Sequence, residues 1–239
     1  MGKHLDSSTR AERVGRALEV MNVLEKRFPG TASSLCTLDR RSPFELLVAT
    51  ILSAQCTDER VNMVTPRLFS KYSDPESLAR ANLDELEEII RSTGFYHAKA
   101  SNLKSMAQSL VTLFDREVPS ELNDLTLLAG VGRKTGNVIR SIAFDLPGLP
   151  VDTHVKRVAN RLGLVVAHDP VEIEKQLGDL VPSEEWGVLS IRLILHGRSI
   201  CKAKSPDCEN CPFSEWCPSS SIRTPPLSNS PNRRSKRPK

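Results

Sequence analysis

The sequence predicts an all-α protein. No segment sustains the apolar–polar alternation of a strand, and apolar residues recur at helical spacing behind residues that cap helices. At 239 residues one or two domains are expected, and 39% hydrophobic content can fill a core. No internal repeat of solenoid length divides it.

Residues 13–27 place Val14, Leu18, Met21, Leu24 and Phe28 at helical spacing, and Pro29 with Gly30 ends the run. Ser42, Pro43, Phe44 and Glu45 form a helix start. Ser42 caps, Pro43 suits the first turn and Glu45 completes a capping box. Phe44, Leu47, Val48, Ile51 and Leu52 then make an apolar stripe that should end near Ser53. The run ILSAQCTDERVN, residues 51–62, is a polar helix junction, in which Gln55 by itself is a surface glutamine and Cys56 a small buried apolar residue. Further helices start at Asp74, Pro75 and Glu76, and at Asn82, the second with Leu83, Leu86, Ile89 and Ile90 on one side. In STGFYHAKA, residues 92–100, Gly94 ends a helix, and residues 98–114 form the next.

The densest signal is LAGVGRKTGNVIRSIAF, residues 128–144. Gly130 and Gly132 bracket Val131, and a Gly-x-Gly turn admits positive φ and close approach of the backbone. Leu125, Leu127 and Leu128 precede it, and Val138, Ile139, Ile142 and Ala143 share a helical face after it. The pattern is helix, tight hairpin, helix over about residues 122–141. Free N–H groups at the start of the second helix make an anion site that a DNA phosphate fits. Lys134 stands in that first turn, where a cation opposes the helix macrodipole, and Arg133 adds a second positive charge. Both effects favour the neutral amine, a nucleophile able to form a Schiff base. A lysine that only neutralises phosphate has the same spacing. Asp152 follows Pro147 and Pro150, beside Thr153 and His154. Its loop can return the carboxylate to the hairpin mouth to stabilise cationic character near Lys134, or Asp152 can cap the helix beginning at Thr153.

Residues 155–162 form a helix ended by Gly163, Asp169 caps another, and Ser183, Glu184, Glu185 and Trp186 start the last long helix, expected to stop at Gly197. His196 near its end is either a ligand or a core histidine.

Charge alone does not suggest a nucleic-acid enzyme. The net charge is +4, but residues 218–239 hold six cations (Arg223, Arg233, Arg234, Lys236, Arg237 and Lys239) and no acid. Without them 27 bases face 29 acids, so positive charge on the folded part must be gathered on one face if it is to meet DNA. No apolar run is long enough to span a membrane, and residues 1–18 lack the apolar core of a secretory signal. A cytoplasmic, DNA-accessible protein is expected.

Four of the six cysteines, Cys201, Cys208, Cys211 and Cys217, fall within 17 residues with the spacing C-x6-C-x2-C-x5-C. In a chain without a secretory signal this argues for metal rather than disulfides. Zinc and a [4Fe–4S] cluster both accept four thiolates, and the chemistry alone does not choose.

The run LAGVGRKTGNV, the following VDTH and the cysteine spacing resemble the endonuclease III family of helix-hairpin-helix DNA glycosylases, over roughly residues 15–217. The resemblance implies a two-lobed helix-hairpin-helix DNA glycosylase fold with a [4Fe–4S] cluster loop. Residues 1–35 with 148–217 would form the cluster domain, 36–147 the central domain, and 218–239 a disordered basic tail. It implies a monomeric bifunctional DNA glycosylase and apurinic/apyrimidinic lyase removing oxidised pyrimidines from double-stranded DNA, with activity also at abasic sites. Lys134 would be the nucleophile, Asp152 its electrostatic partner, and all four cysteines the cluster ligands. DNA contacts would come from Gln55, which fills the gap left by the extruded nucleotide, from Gly130, Val131, Gly132 and Arg133 of the hairpin, and from His154. The cluster loop would add Lys202 and Lys204. Phe95 stands where the family carries an aliphatic wedge, a departure that apolar wedges tolerate; core packing is its other reading. Two rivals are a monofunctional mismatch or adenine-specific glycosylase, against which Lys134 argues, and a non-catalytic DNA-binding module with a zinc knot.

Overall fold

The computed structural model describes residues 9–222, so the six cations of the expected tail lie outside the described residues. The described residues contain helices and no strand. In chain order the helices are α1 (Arg10–Arg27), α2 (Ala32–Leu35), α3 (Pro43–Leu52), α4 (Asp58–Lys71), α5 (Pro75–Ala79) and α6 (Leu83–Ile90). After a 3-10 turn at Arg91–Thr93 come α7 (Tyr96–Leu113), α8 (Leu122–Leu127), α9 (Arg133–Ala143), α10 (Thr153–Arg161) and α11 (Pro170–Gly178). A second 3-10 turn, Ser183–Glu185, leads into α12 (Trp186–Ser199).

Side chains at the helix starts supply what the backbone lacks. Ser42 accepts from the N–H of Glu45 at 3.1 Å, Asp74 from Ser77 at 2.8 Å, and Asn82 from Glu85 at 3.1 Å. Asp169 accepts from Val171 and Glu172, both at 3.0 Å. Glu45 does not close the expected box with Ser42; its carboxylate reaches one residue further, to the N–H of Arg41 at 2.6 Å.

Two apolar cores result. One joins Leu47, Val48, Leu68, Leu86, Leu103, Met106, Leu125 and Ile139 from α3, α4 and α6 to α9. The other joins Ala17, Val20 and Leu24 of α1 to Val155, Val158, Ile173, Leu189, Leu193 and Phe213. Arg192 holds the first helix to the last, donating to the carbonyls of Phe28 at 3.2 Å and Gly30 at 3.3 Å.

Several sequence expectations are corrected. Leu18 is exposed, because α1 turns Ala17, Val20 and Leu24 inward. Leu83, at the start of α6, is also partly exposed. The polar junction after Ser53 is short, since Thr57 caps α4, which buries Val61, Val64 and Leu68 despite Pro66 within it. Gly197 does not stop α12. A Cβ there would lie 3.1 Å from Val158 and 3.2 Å from the Cβ of His154, so the glycine lets α12 cross close over α10.

Candidate active site

Lys134 and Asp152 line the same cavity, between the two cores. Around them stand Thr37, Thr50, Asp58, Ser190 and Arg198, with Val138, Ile142 and Ile194 as apolar wall. Thus the predicted face of α9 is divided: Ile139 enters the core while Val138 and Ile142 face the cavity.

The hairpin sets Lys134. α8 ends at Leu127 with Leu128 as its extended C-cap, and Gly130 takes φ +79°, a left-handed turn; its Cβ, if present, would be 3.1 Å from Asn102 of α7. Gly132 does not share that conformation. At φ −89° it is an extended N-cap with no side chain to bond the helix start. The first backbone bond of α9 runs from Gly136 to the Gly132 carbonyl at 2.9 Å, so the N–H groups of the preceding turn are left for an external acceptor. Val131 contributes differently from expectation: its side chain is buried in the core and its N–H bonds Leu128 at 3.1 Å. Arg133 is not a second uncompensated cation beside Lys134. Its guanidinium forks onto Glu174 of α11 with two contacts of 2.8 Å, and this bond holds its protonated form more firmly than usual. Lys134 itself is exposed to the cavity mouth.

Asp152 reaches the cavity because its loop is pinned on both sides. Asn137 of α9 donates to Leu149 at 3.4 Å, Ser190 of α12 donates to Pro150 at 2.6 Å, and Arg140 donates to Pro147 at 3.0 Å. The carboxylate caps α10: Oδ1 accepts from His154 at 2.7 Å and Val155 at 2.8 Å. Its Oδ2 lies 3.2 Å from Nδ1 of His154. The two readings of Asp152 are compatible, since Oδ1 makes the cap and Oδ2, beside His154, takes no part in it. Sequence reading missed Asp58, which accepts from Thr37 at 2.6 Å and from Arg198 at 3.5 Å.

Gln55 and Phe95 lie in the loops after α3 and before α7. Both are exposed, and both hold left-handed backbone, φ 54° and 49°. At 66% exposure Phe95 is not a core residue. Cys56 is half-buried against the central core.

The four cysteines line one cavity with Arg161, His196 and Pro206. Among the described residues no three His, Cys, Asp or Glu side chains are grouped as ligands of a single ion. Four thiols around a shared space are a donor set that suits a metal group, a [4Fe–4S] cluster as well as a zinc ion. α10 supports the loop: Arg157 donates to Cys201 at 3.1 Å, Arg161 to Lys202 at 2.7 Å and to Ala203 at 3.0 Å, and the Cys217 thiol donates to the Arg161 carbonyl at 3.2 Å. Lys202 and Lys204 are exposed on that loop. His196 is fully buried, with Nε2 3.8 Å from Cys211 and its ring edge on Phe213; burial, with Arg27 nearby, pushes its pKa down to about 4. The core histidine expectation holds, although the ring touches a cysteine of the cluster.

A family model described as HhH-GPD superfamily base excision DNA repair protein matches residues 48–183. A second, described as the iron-sulfur binding domain of endonuclease III, matches residues 201–217. The fold and the site thus define a base excision DNA repair protein of the HhH-GPD superfamily. Within that class the chain belongs to the endonuclease III family. It is 49% identical over 210 residues to the endonuclease III of Synechocystis sp., covering 87% of this chain and 94% of that one. It also resembles a solved non-covalent endonuclease III–DNA complex, at 43% identity and a TM-score of 0.81, over 89% of this chain and 96% of the other. A trapped endonuclease III–DNA covalent intermediate gives the same identity and TM-score, over 89% and 97%. The cysteine loop accordingly carries a [4Fe–4S] cluster.

Proposed function

We propose that Lys134 and Asp152 carry out the chemistry of a bifunctional DNA glycosylase and apurinic/apyrimidinic lyase on oxidised pyrimidines in duplex DNA. The observation that supports it most is that the hairpin amine and the loop carboxylate line one cavity between the cores.

The target nucleotide leaves the stack to enter this cavity. The neutral amine of Lys134 attacks C1′ of the sugar; the base departs with the electron pair of the glycosidic bond and takes up a proton. Positive charge that develops on the sugar faces Asp152, whose carboxylate is held in place by its bonds to α10. The attacking nitrogen loses a proton, and its lone pair then expels O4′ as the C1′–O4′ bond breaks and O4′ takes up a proton. The ring-opened sugar is left as a protonated Schiff base between Nζ and C1′. Loss of a proton from C2′ then expels the 3′ phosphate by β-elimination, cutting the strand. Free amides at the start of α9 hold a backbone phosphate. Gln55 and Phe95 enter the duplex around the vacated position, and His154, Lys202 and Lys204 add contacts. When bound, the cluster acts as a structural cross-link, because all four cysteines are used. The two cores correspond to a central lobe, 36–147, and a cluster lobe, 1–35 with 148–217. The protein works as a monomer in the cytoplasm. No helix among the described residues is long and apolar enough to cross a membrane.

The test is borohydride trapping on duplex DNA with an oxidised pyrimidine. Lys134→Gln should abolish the trapped adduct while retaining binding of damaged DNA, since the phosphate contacts remain. A variant that is still trapped at the wild-type rate shows that another amine is the nucleophile. Wild-type protein that binds DNA without being trapped is no lyase, and leaves the monofunctional glycosylase and the binding module as the two readings.

A further inference from the structure

Lys99, in the first turn of α7, is only 4% exposed. A lysine is almost never so buried unless its charge is satisfied. Its Nζ donates to the carbonyls of Leu52 and Thr93, both at 2.8 Å. Leu52 is the last residue of α3, after which the chain turns through Gln55. Thr93 closes the 3-10 turn, after which the chain passes through Gly94 to Phe95. Both carbonyls stand at helix C-termini, where backbone dipoles leave negative charge for a cation and where an unpaired buried carbonyl is costly. Burial holds the ammonium below the ordinary lysine range. The backbone N–H of Lys99 also bonds the Phe95 carbonyl at 3.0 Å. One residue is thereby fixed to the base of both loops. Left-handed backbone at non-glycine residues such as Gln55 and Phe95 persists only where the surroundings over-determine it.

We propose that Lys99 is a positioning residue that clamps the Gln55 and Phe95 loops at a fixed separation, so that the two probes enter the duplex as one unit. The proposal rests on the reading of Gln55 and Phe95 as the residues that enter DNA.

A double-mutant cycle tests it. Lys99→Met keeps the aliphatic stem and removes the three donors. Its dissociation constant for a duplex carrying a tetrahydrofuran abasic analogue should rise about tenfold, the size expected when a preorganised contact pair is lost. In a Gln55→Ala/Phe95→Ala background the same substitution should change binding less than about twofold, because there are no probes left to position. The drop in melting temperature should be equal in both backgrounds, which separates positioning from stability. An undiminished Lys99→Met loss in the probe-less background, or no loss in either, overturns the clamp. If Gln55→Ala/Phe95→Ala itself leaves binding unchanged, the reading of the two probes fails and the clamp falls with it. Should Lys99→Met melt below the assay temperature, Lys99→Gln keeps one donor group and carries the same cycle.

Discussion

Asp152 caps α10 and, on the proposed function, also faces the sugar, and substitutions can separate the two tasks. Oδ1 caps α10 through two backbone N–H groups, while Oδ2 points away from that cap toward His154. Asparagine also caps helices well, whereas alanine does not. Asp152→Asn should therefore leave the melting temperature unchanged and still slow base release strongly, because the negative charge facing the sugar is gone. Asp152→Ala should lose the same activity and about 1 kcal/mol of stability as well. Equal melting curves for the two variants would show that the cap contributes nothing. For both, Schiff-base trapping on a pre-formed abasic site should suffer less than base release, since no glycosidic bond has to break. Lys134 and Asp152 were legible in the sequence because each sits in a run whose local chemistry is unusual. Asp58, Ser190 and Arg198 were not. The Asp58–Arg198 pair joins positions 140 residues apart, and no local pattern connects an acid at the start of α4 to an arginine at the end of α12.

At the scale of elements, the hairpin shows that two glycines in one motif serve different ends. Gly130 needs its left-handed φ of +79° and has Asn102 at 3.1 Å from where a Cβ would stand. Gly132 has ordinary φ and open space around it. Gly130→Ala should cost about 1–2 kcal/mol of stability, the usual cost of left-handed backbone with a Cβ. Gly132→Ala should leave stability almost unchanged but weaken DNA binding, because its methyl group would project at the helix start proposed to hold a backbone phosphate. Urea denaturation and binding isotherms on the two variants check this, and the same profile for both would refute the distinction. The helix starts at Ser42, Asp74, Asn82 and Asp169 were legible because a cap is decided within four residues. α4 was hidden by its polar surface and by Pro66, and its buried Val61, Val64 and Leu68 are too sparse to stand out. Leu127 misled for the converse reason: it is apolar but exposed, at the end of the short helix α8, and periodicity cannot say which leucines of such a helix turn inward.

At the scale of the molecule, the cluster loop and α10 are one construction, and α10 begins at Asp152. Arg157 and Arg161 run from α10 to the carbonyls of Cys201, Lys202 and Ala203, Phe213 is fully buried in the second core, and Trp216 donates to Glu19 of α1 at 2.8 Å. Cys211→Ser should lose iron and lower the melting temperature by roughly 10 °C, since cluster binding is coupled to folding of this core. Full iron content in that variant would contradict the ligand assignment. The remaining whole-molecule question is where the affinity for DNA comes from. Apart from residues 218–239 the chain has two more acids than bases, so on the proposed function its attraction to a polyanion would rest on local groups such as the α9 amides, Lys134, Lys202 and Lys204. The segment 218–239 adds six cations and no acid. Each phosphate it neutralises should steepen the dependence of log K on log salt by about 0.9 for duplex DNA. Deleting 218–239 should therefore flatten the slope by several times that amount and weaken binding at low salt. Single-turnover cleavage at saturating enzyme should stay intact, because Lys134, Asp152 and the loops of Gln55 and Phe95 all lie in the retained part. An unchanged salt slope would show that the segment does not touch DNA, and a lost single-turnover rate would show that it reaches the site itself.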